Sequence, residues 1–346
     1  MPTGGPHIRV FDGVPRRTGK PLDMRTLNRT FEWRRGIAAR HQELAEQLAG
    51  PRPRLTACPV CASAELAPFV VIHGFPYAEC AGCGLVFSQE PPEADAIKAL
   101  YSADKAKRTP QDTIYVDEAL HARRVQVIAA PKVEFIKGTI GRAGGTWVDI
   151  GCATGEVLAA AQAAGWSPLG VEPDPLHAAF ARGRGITIVE DFVSLDQSTH
   201  LQGASVVSMF NMLEHVNRPG DVVEMVGRAV PAGTHCVIEV PRHPSISSFA
   251  NLAFPQIATR HIYAPEHLHV FTERAVELML ERAGFTAIGV WTFGQDYQEL
   301  ISSVAVSARL PESPFFQALG DLTNGVQQAI DDGGFSDALL VVARRN

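Results

Sequence analysis

The sequence lacks long apolar runs. Stretches such as Leu339 to Ala343 are the length of a strand, far short of the roughly 18 residues that cross a bilayer, so no membrane span is expected. It also lacks a basic start followed by an apolar segment: Met1-Pro-Thr-Gly-Gly-Pro-His7 is not a secretory leader, and cytoplasmic residence is the default expectation. Positive charge is not in excess. With 31 basic against 37 acidic residues the net charge is -6, which excludes a global field drawing the chain to nucleic acid or anionic lipid. Cysteine is sparse, 6 in 346 residues, so a disulfide scaffold is excluded and the thiols need another explanation. What is present, 46% apolar and 20% charged residues, is a globular composition with length for two domains.

Residues 1–20, rich in Pro, Gly and Arg, read as a draped arm. Leu27, Phe31, Ile37, Leu44 and Leu48 recur at helical spacing over 22–48, until Gly50-Pro51 and Pro53 stop the helix, so 1–54 forms an arm and helix. A compact cysteine-bearing unit occupies 55–90, with short strands at 68–72 and 85–88. Residues 91–143 form a helical connector or lid, with helices over 93–103 and 117–140. From 144 to 346 short apolar runs alternate with helices, the pattern of an α/β doubly wound sheet. Strands are expected at 146–150, 168–172, 187–190, 205–210, 235–240, 286–292 and 337–345. Residues 297–335 are long for a strand connection and should pack as helices, as a wall of the site or a homodimer surface.

Cys58-Pro-Val-Cys61 and Cys80-Ala-Gly-Cys83 are two C-x2-C pairs 18 residues apart, the spacing of a zinc ribbon. Each pair places two thiolates on one knuckle, and two knuckles complete the tetrahedron of a closed Zn²⁺ site, so a structural ion is expected. Cys152 and Cys236 lie in apolar surroundings and read as small buried hydrophobes.

Trp147-Val-Asp149-Ile-Gly151-Cys-Ala-Thr-Gly155-Glu156 is a strand entering a glycine turn that opens a helix, and Glu172 ends the next strand about 20 residues on, where a carboxylate can hold ribose hydroxyls. Ala153 and Glu156 stand where a dinucleotide fingerprint has glycines. A carboxylate at that helix start repels pyrophosphate, which disfavours NAD. These residues resemble the first two motifs of class I S-adenosylmethionine-dependent methyltransferases, and the resemblance spans about 120 to 300. It implies a seven-stranded Rossmann-like sheet whose seventh strand is antiparallel, an N-terminal zinc-ribbon and helical domain beside it, and S-adenosylmethionine as cofactor. It further implies cofactor contacts from Asp149, Gly151, Gly155 and Glu172, from Asp191 and Phe192 after the third strand, and from Phe210 and Asn211 in the fourth motif, Phe210-Asn-Met-Leu-Glu-His215.

Ligands of such sheets lie at the carboxyl ends of the strands. The segment after the fifth strand is the richest there, with four of the 12 histidines, His243, His261, His267 and His269. Tyr263-Ala-Pro-Glu266-His267 resembles the Tyr-x-Glu-His segment of the zinc-containing sugar C-methyltransferases. One more residue separates Tyr263 from Glu266 here, and the sequence ends after the seventh strand, without the C-terminal domain those enzymes carry. The resemblance implies His267 as general base, with Glu266, His215 and Tyr263 as further catalytic candidates. His243 and His261 read as solvated or structural, and His269 as pointing into the fold. The expected reaction is methyl transfer to oxygen or carbon of a small polar acceptor, a saccharide or secondary metabolite. An RNA methyltransferase gripping its substrate through the ribbon is the alternative, and a non-catalytic scaffold another. No Lys or Arg lies between Cys58 and Cys83, which ranks RNA below a small molecule.

Overall fold

The computed structural model describes residues 10–20, 30–48, 50–100, 116–192, 199–258, 260–311 and 313–346. The main sheet is built from β1 (Arg16–Thr18), β5 (Thr146–Ile150), β6 (Ser167–Val171), β7 (Thr187–Val189), β8 (Ala204–Phe210), β9 (His235–Pro241), β11 (Phe285–Phe293) and β12 (Ala338–Arg345). Their spatial order is β1-β11-β12-β9-β8-β5-β6-β7. β8, β5, β6 and β7 run parallel with β9, and β12 lies antiparallel between β9 and β11, as expected for the last strand. Central strands buried on both faces need near-continuous apolar sequence, and all seven residues of β9 are buried. Period-two alternation divides the strands between two cores: Val148, Val207, Ile238 and Val341 face one, Trp147, Val206, Val237 and Leu340 the other.

The sheet has eight strands where seven were expected. The addition is β1, in the segment read as a draped arm: Arg16, Arg17 and Thr18 pair in parallel with Val290, Trp291 and Thr292. Trp291 Nε1 donates to the Gly19 carbonyl at 2.9 Å, and the Arg17 guanidinium lies 4.1 Å from the indole centroid, so this polar strand is held by its neighbour and not by an apolar face of its own.

The cysteine unit forms a second, antiparallel sheet in the order β10-β4-β3-β2, made of β2 (Leu66–Ile72), β3 (Phe75–Cys80), β4 (Val86–Ser88) and β10 (His269–Val270). β3 was not anticipated from the sequence. β10 comes from the methyltransferase-like half, and Cys58, Val60, Cys80, Cys83, Leu85 and Phe87 share one core with the main sheet and with Ala275, Val276 and Met279.

The connector helix runs from Glu118–Arg124 through a π turn, Val125–Ala129, into Ala130–Ile140. Pro131 lacks the amide hydrogen of a regular helical bond and its ring crowds the carbonyl four residues back; the π turn lies where that strain falls. The helix expected over 93–103 is Ala94–Leu100, and 101–103 lie outside the described residues. Of the helix expected over 22–48, the described part begins at Phe31, where Thr30 caps it by accepting from Trp33 N, and ends at Gln47; 22–29 lie outside. The 297–335 segment forms helices Asp296–Ser307, Pro314–Asp321 and Thr323–Asp332. Among the described residues no helix is long and apolar enough to cross a membrane.

Helix Phe31–Gln47 is fastened to helix Asp296–Ser307 by a bidentate pair, Arg34 to both Glu299 oxygens at 2.7 Å, with both side chains buried. Removing one partner of a buried pair leaves a charge without compensation. Arg34→Met is therefore expected to cost roughly 3 kcal/mol in denaturant unfolding, and the double variant Arg34→Met/Glu299→Leu to recover most of it.

Candidate cofactor and acceptor site

The strand order reverses between β5 and β8, and all eight residues singled out for cofactor contact stand along the carboxyl edge of β5, β6, β7 and β8. Gly151 and Gly155 bracket the turn with φ of 73° and 78°, and a Cβ at Gly151 would come within 2.8 Å of Met212 Cγ. Ala153 also adopts a left-handed φ, 46°, at the position where the related motif often has glycine. Glu172 is buried and accepts from the backbone amides of Ala153 and Asp174, both at 2.8 Å, which fixes its carboxylate at the mouth of the turn. Burial raises its pKa. Asp149 accepts from Ser208 Oγ at 2.6 Å, and burial pushes its pKa up to about 7. Asp191 accepts from the amide of Phe192 at 2.6 Å. Asn211 is exposed, and its side-chain amide donates to Glu239 Oε1 at 3.1 Å. Glu156, whose charge was expected to repel phosphate, is paired with Arg124 at 2.8 Å, so at this helix start the charge is compensated.

Beyond the cofactor edge, the turn Leu213–His215 after β8 faces the loop that precedes β10. The rings of His215 and His267 meet edge to face with centroids 4.6 Å apart. His215 Nδ1 lies 3.1 Å from the Glu266 carbonyl, and His267 Nδ1 3.0 Å from the His261 carbonyl. A carbonyl can only accept, so each Nδ1 carries the proton and each Nε2 is the basic nitrogen. Tyr263 packs on His267 at 3.9 Å and stacks on His41, from helix Phe31–Gln47, at 4.1 Å. The Glu266 carboxylate lies 3.7 Å from His41 Nε2, while its carbonyl meets His215 Nδ1. Burial drives the pKa of His215 and His41 down to about 4 and that of His267 well below the ordinary value.

The other histidines have structural roles. His269 Nε2 bonds the Val216 carbonyl at 2.9 Å, His243 Nδ1 bonds Ser248 Oγ at 2.9 Å, and His261 Nε2 lies 3.0 Å from Asp337 Oδ2, all three rings being buried. The Cys58, Cys61, Cys80 and Cys83 sulphurs lie within 4.8 Å of one another and none is in a disulfide. Bonds of about 2.3 Å to a tetrahedral ion set sulphurs roughly 3.8 Å apart, so this set fits Zn²⁺. Thr272 caps helix Glu273–Arg282 by accepting from Ala275 N at 3.0 Å, and donates to the Cys83 carbonyl at 2.5 Å, joining cap to knuckle.

Residues 121–290 match a family model described as a methyltransferase domain. This stretch of the chain is a methyltransferase domain. No curated protein sequence matches the chain. Among solved structures it is similar to an S-adenosylmethionine-dependent methyltransferase from Mesorhizobium loti, at 19% identity and a TM-score of 0.43 over 64% of this chain and 100% of that one. It is also similar to a methyltransferase of Thermotoga maritima described as a possible histamine N-methyltransferase (15%, TM-score 0.44, 69% and 100%). A third is the geranyl diphosphate C-methyltransferase of Streptomyces coelicolor A3(2) (13%, 0.41, 70% and 90%).

Sequence reasoning missed several groups at this candidate site. His41 arrives from more than 200 residues away in the chain, with no local signal. Lys132, on the connector helix, forms a buried 2.7 Å pair with Glu239 beside Phe210. Glu214 was legible only as the residue before His215; it is fully buried, and neither carboxylate oxygen has a hydrogen-bond partner among the described residues. The depressed pKa values have a direct readout. An ordinary imidazole is half protonated near pH 6.5, whereas His41 and His269 are held down to about 4, so both should remain neutral at pH 5.5 in imidazole NMR spectra.

Proposed function

We propose that this methyltransferase acts on oxygen or carbon of a small polar acceptor, a saccharide or secondary metabolite, which loses its proton at the His215–His267 pair. The observation that carries this reading is the pair itself: two imidazoles held in the Nδ1–H tautomer by backbone carbonyls, His215 just past the end of β8 and His267 on the loop before β10. Glu172 holds the ribose, Asp191 and Phe192 the adenine, and Asp149, Gly151, Gly155, Phe210 and Asn211 the remainder of the cofactor. When bound, S-adenosylmethionine supplies an electrophilic methyl on a sulfonium, which an in-line nucleophile displaces. The residues of the chain align the acceptor, exclude water and take up or release its proton, and positioned proton transfer of this kind is worth about 10²- to 10⁴-fold.

The four cysteines hold a structural Zn²⁺, and with all four ligands from the protein no coordination position remains for chemistry. The similarity of the 263–267 segment and the cysteine unit to the zinc-containing sugar C-methyltransferases supports a sugar-like acceptor. The RNA alternative is less favoured, because the unit between Cys58 and Cys83 has no Lys or Arg and bears Glu65 and Glu79.

Two variants separate the roles. His267→Ala should lower turnover by about 100-fold or more toward the accepted substrate, with cofactor affinity by calorimetry nearly unchanged. Glu172→Ala should weaken cofactor binding by about tenfold or more; a fully active His267→Ala enzyme removes that residue from the mechanism. Metal analysis should find one zinc per chain on the cysteines, and Cys58→Ser should lose it and unfold β2–β4.

A further inference from the structure

Glu214 poses a problem of its own. Its side chain is fully buried, both oxygens lack hydrogen-bond partners among the described residues, and burial pushes its pKa well up. Protonation could satisfy one oxygen, by turning it into a donor toward an imidazole nitrogen of His215 or His267, but it leaves the other oxygen without a partner among the described residues. Nor is the residue free to swing away, since its carbonyl accepts from Leu268 N at 2.7 Å across the site. Uncompensated burial of a carboxylate costs several kcal/mol, and a cation is the complement that removes the cost.

Two nitrogen donors stand beside it. One oxygen of Glu214 and one nitrogen each of His215 and His267 lie within 4.8 Å of one another. Bonds of about 2.1 Å bring three such donors around one ion with modest side-chain rotation. Both imidazoles donate Nδ1–H to backbone carbonyls, the arrangement that fixes the tautomer and orientation of metal-ligating histidines and leaves Nε2 to bind. Two imidazoles and one carboxylate select a first-row transition ion over Mg²⁺ or Ca²⁺, which prefer oxygen donors throughout. His215 and Tyr263 are half-buried, so the set opens on the side where an acceptor would lie.

We propose that Glu214, His215 and His267 bind one divalent first-row transition metal ion, separate from the cysteine site, with open positions for a hydroxyl of the acceptor. The role of the ion rests on the methyl-transfer reading and deepens it. The imidazoles then act as ligands in place of accepting the proton themselves, and the ion acidifies the acceptor O–H, as a metal lowers the pKa of bound water from 15.7 to about 7. The proton leaves to solvent, the oxygen forms its bond to the methyl carbon, the carbon–sulfur bond breaks, and the electron pair stays on sulfur, giving neutral S-adenosylhomocysteine and a methyl ether. This narrows the acceptor to a hydroxyl-bearing molecule.

Mn²⁺ is the probe, because it prefers nitrogen and oxygen donors and does not displace zinc from four thiolates. Titrated into the zinc-replete protein and followed by loss of the free-ion EPR signal, it should bind at one per chain, with spin-echo modulation from imidazole ¹⁴N. Glu214→Gln and His267→Gln should each weaken binding tenfold or more while zinc content and cofactor calorimetry stay as in the parent, which shows that the variants are folded. Absence of Mn²⁺ binding to the parent protein overturns the proposal, as does binding that both variants leave unchanged or that lacks the ¹⁴N signal. Methyl transfer with no bound ion and no inhibition by chelator leaves the proposed function standing and sinks the metal site. Mn²⁺ bound as expected in a protein that transfers methyl to no hydroxyl acceptor does the reverse.

Discussion

Two residues of backbone pairing tie the cysteine unit to the chemistry. His269 and Val270 of β10 pair antiparallel with Phe87 and Val86 of β4, so the sheet that grows from the second knuckle ends on the loop that carries His267. The connection is reinforced on both sides: Tyr77 Oη donates to the His267 carbonyl at 2.7 Å, Ser88 N to the Leu268 carbonyl at 2.8 Å, and Leu268 N to the Glu214 carbonyl at 2.7 Å. A route of hydrogen bonds therefore runs from Cys80 through β3 and β4 to both sides of the acceptor site. A sheet this small has little core of its own, so its order depends on the core it shares with the main sheet. The cysteine unit thereby fixes where the loop carrying His267 sits.

Much of this fold was legible, for physical reasons that also explain what was not. The seven strands of the Rossmann-like half are short apolar runs, the central ones buried on both faces, and the glycine turn is marked by residues that tolerate positive φ. The two cysteine pairs were legible because ligand spacing is a local property. β1 and β10 left no such trace. β1 is Arg-Arg-Thr and becomes a strand only because β11 offers an edge; β10 is two residues long and takes its register from β4. The acceptor site was half legible. His215, His267 and Tyr263 were identifiable by type and position, but His41 is brought in by the docking of a distant helix. Nor does the sequence disclose that the Glu266 carboxylate turns toward His41 while Glu214 turns inward. Side-chain direction in a short turn is set by tertiary contacts, and spacing does not encode it.

Buried charge along the cofactor edge follows one pattern. Lys132 pairs with Glu239, which also receives Asn211, and Lys20 donates to the Ile128 carbonyl at 2.9 Å. Burial, with repulsion from Lys132, lowers the Lys20 pKa to about 7. Such groups contribute little net stability, since desolvation offsets most of their attraction. What they do supply is geometry. Lys132 comes from the helix before β5 and Glu239 from β9, so their pair holds the connector helix over the crevice where the strand order reverses. The same helix lends Arg124 to Glu156 at the glycine turn, and the connector is thereby fixed at both ends of the cofactor edge.

That docking also bears on what the cysteine unit can touch. A ribbon that grips nucleic acid presents its knuckles and strands to solvent, with basic residues on them. Here Cys58, Val60, Leu85 and Phe87 are packed into the shared core, the Val60 carbonyl is taken by Arg282, and the Cys83 carbonyl by Thr272. Glu79 faces His243 across the interface with the main domain. Part of the knuckle surface is thus taken by the protein itself, while Ala62, Ala64, Glu65, Ala67, Ala81 and Gly82 remain exposed. None of these exposed positions carries a Lys or Arg, so the surface that the fold leaves open offers no cationic grip for a phosphate backbone.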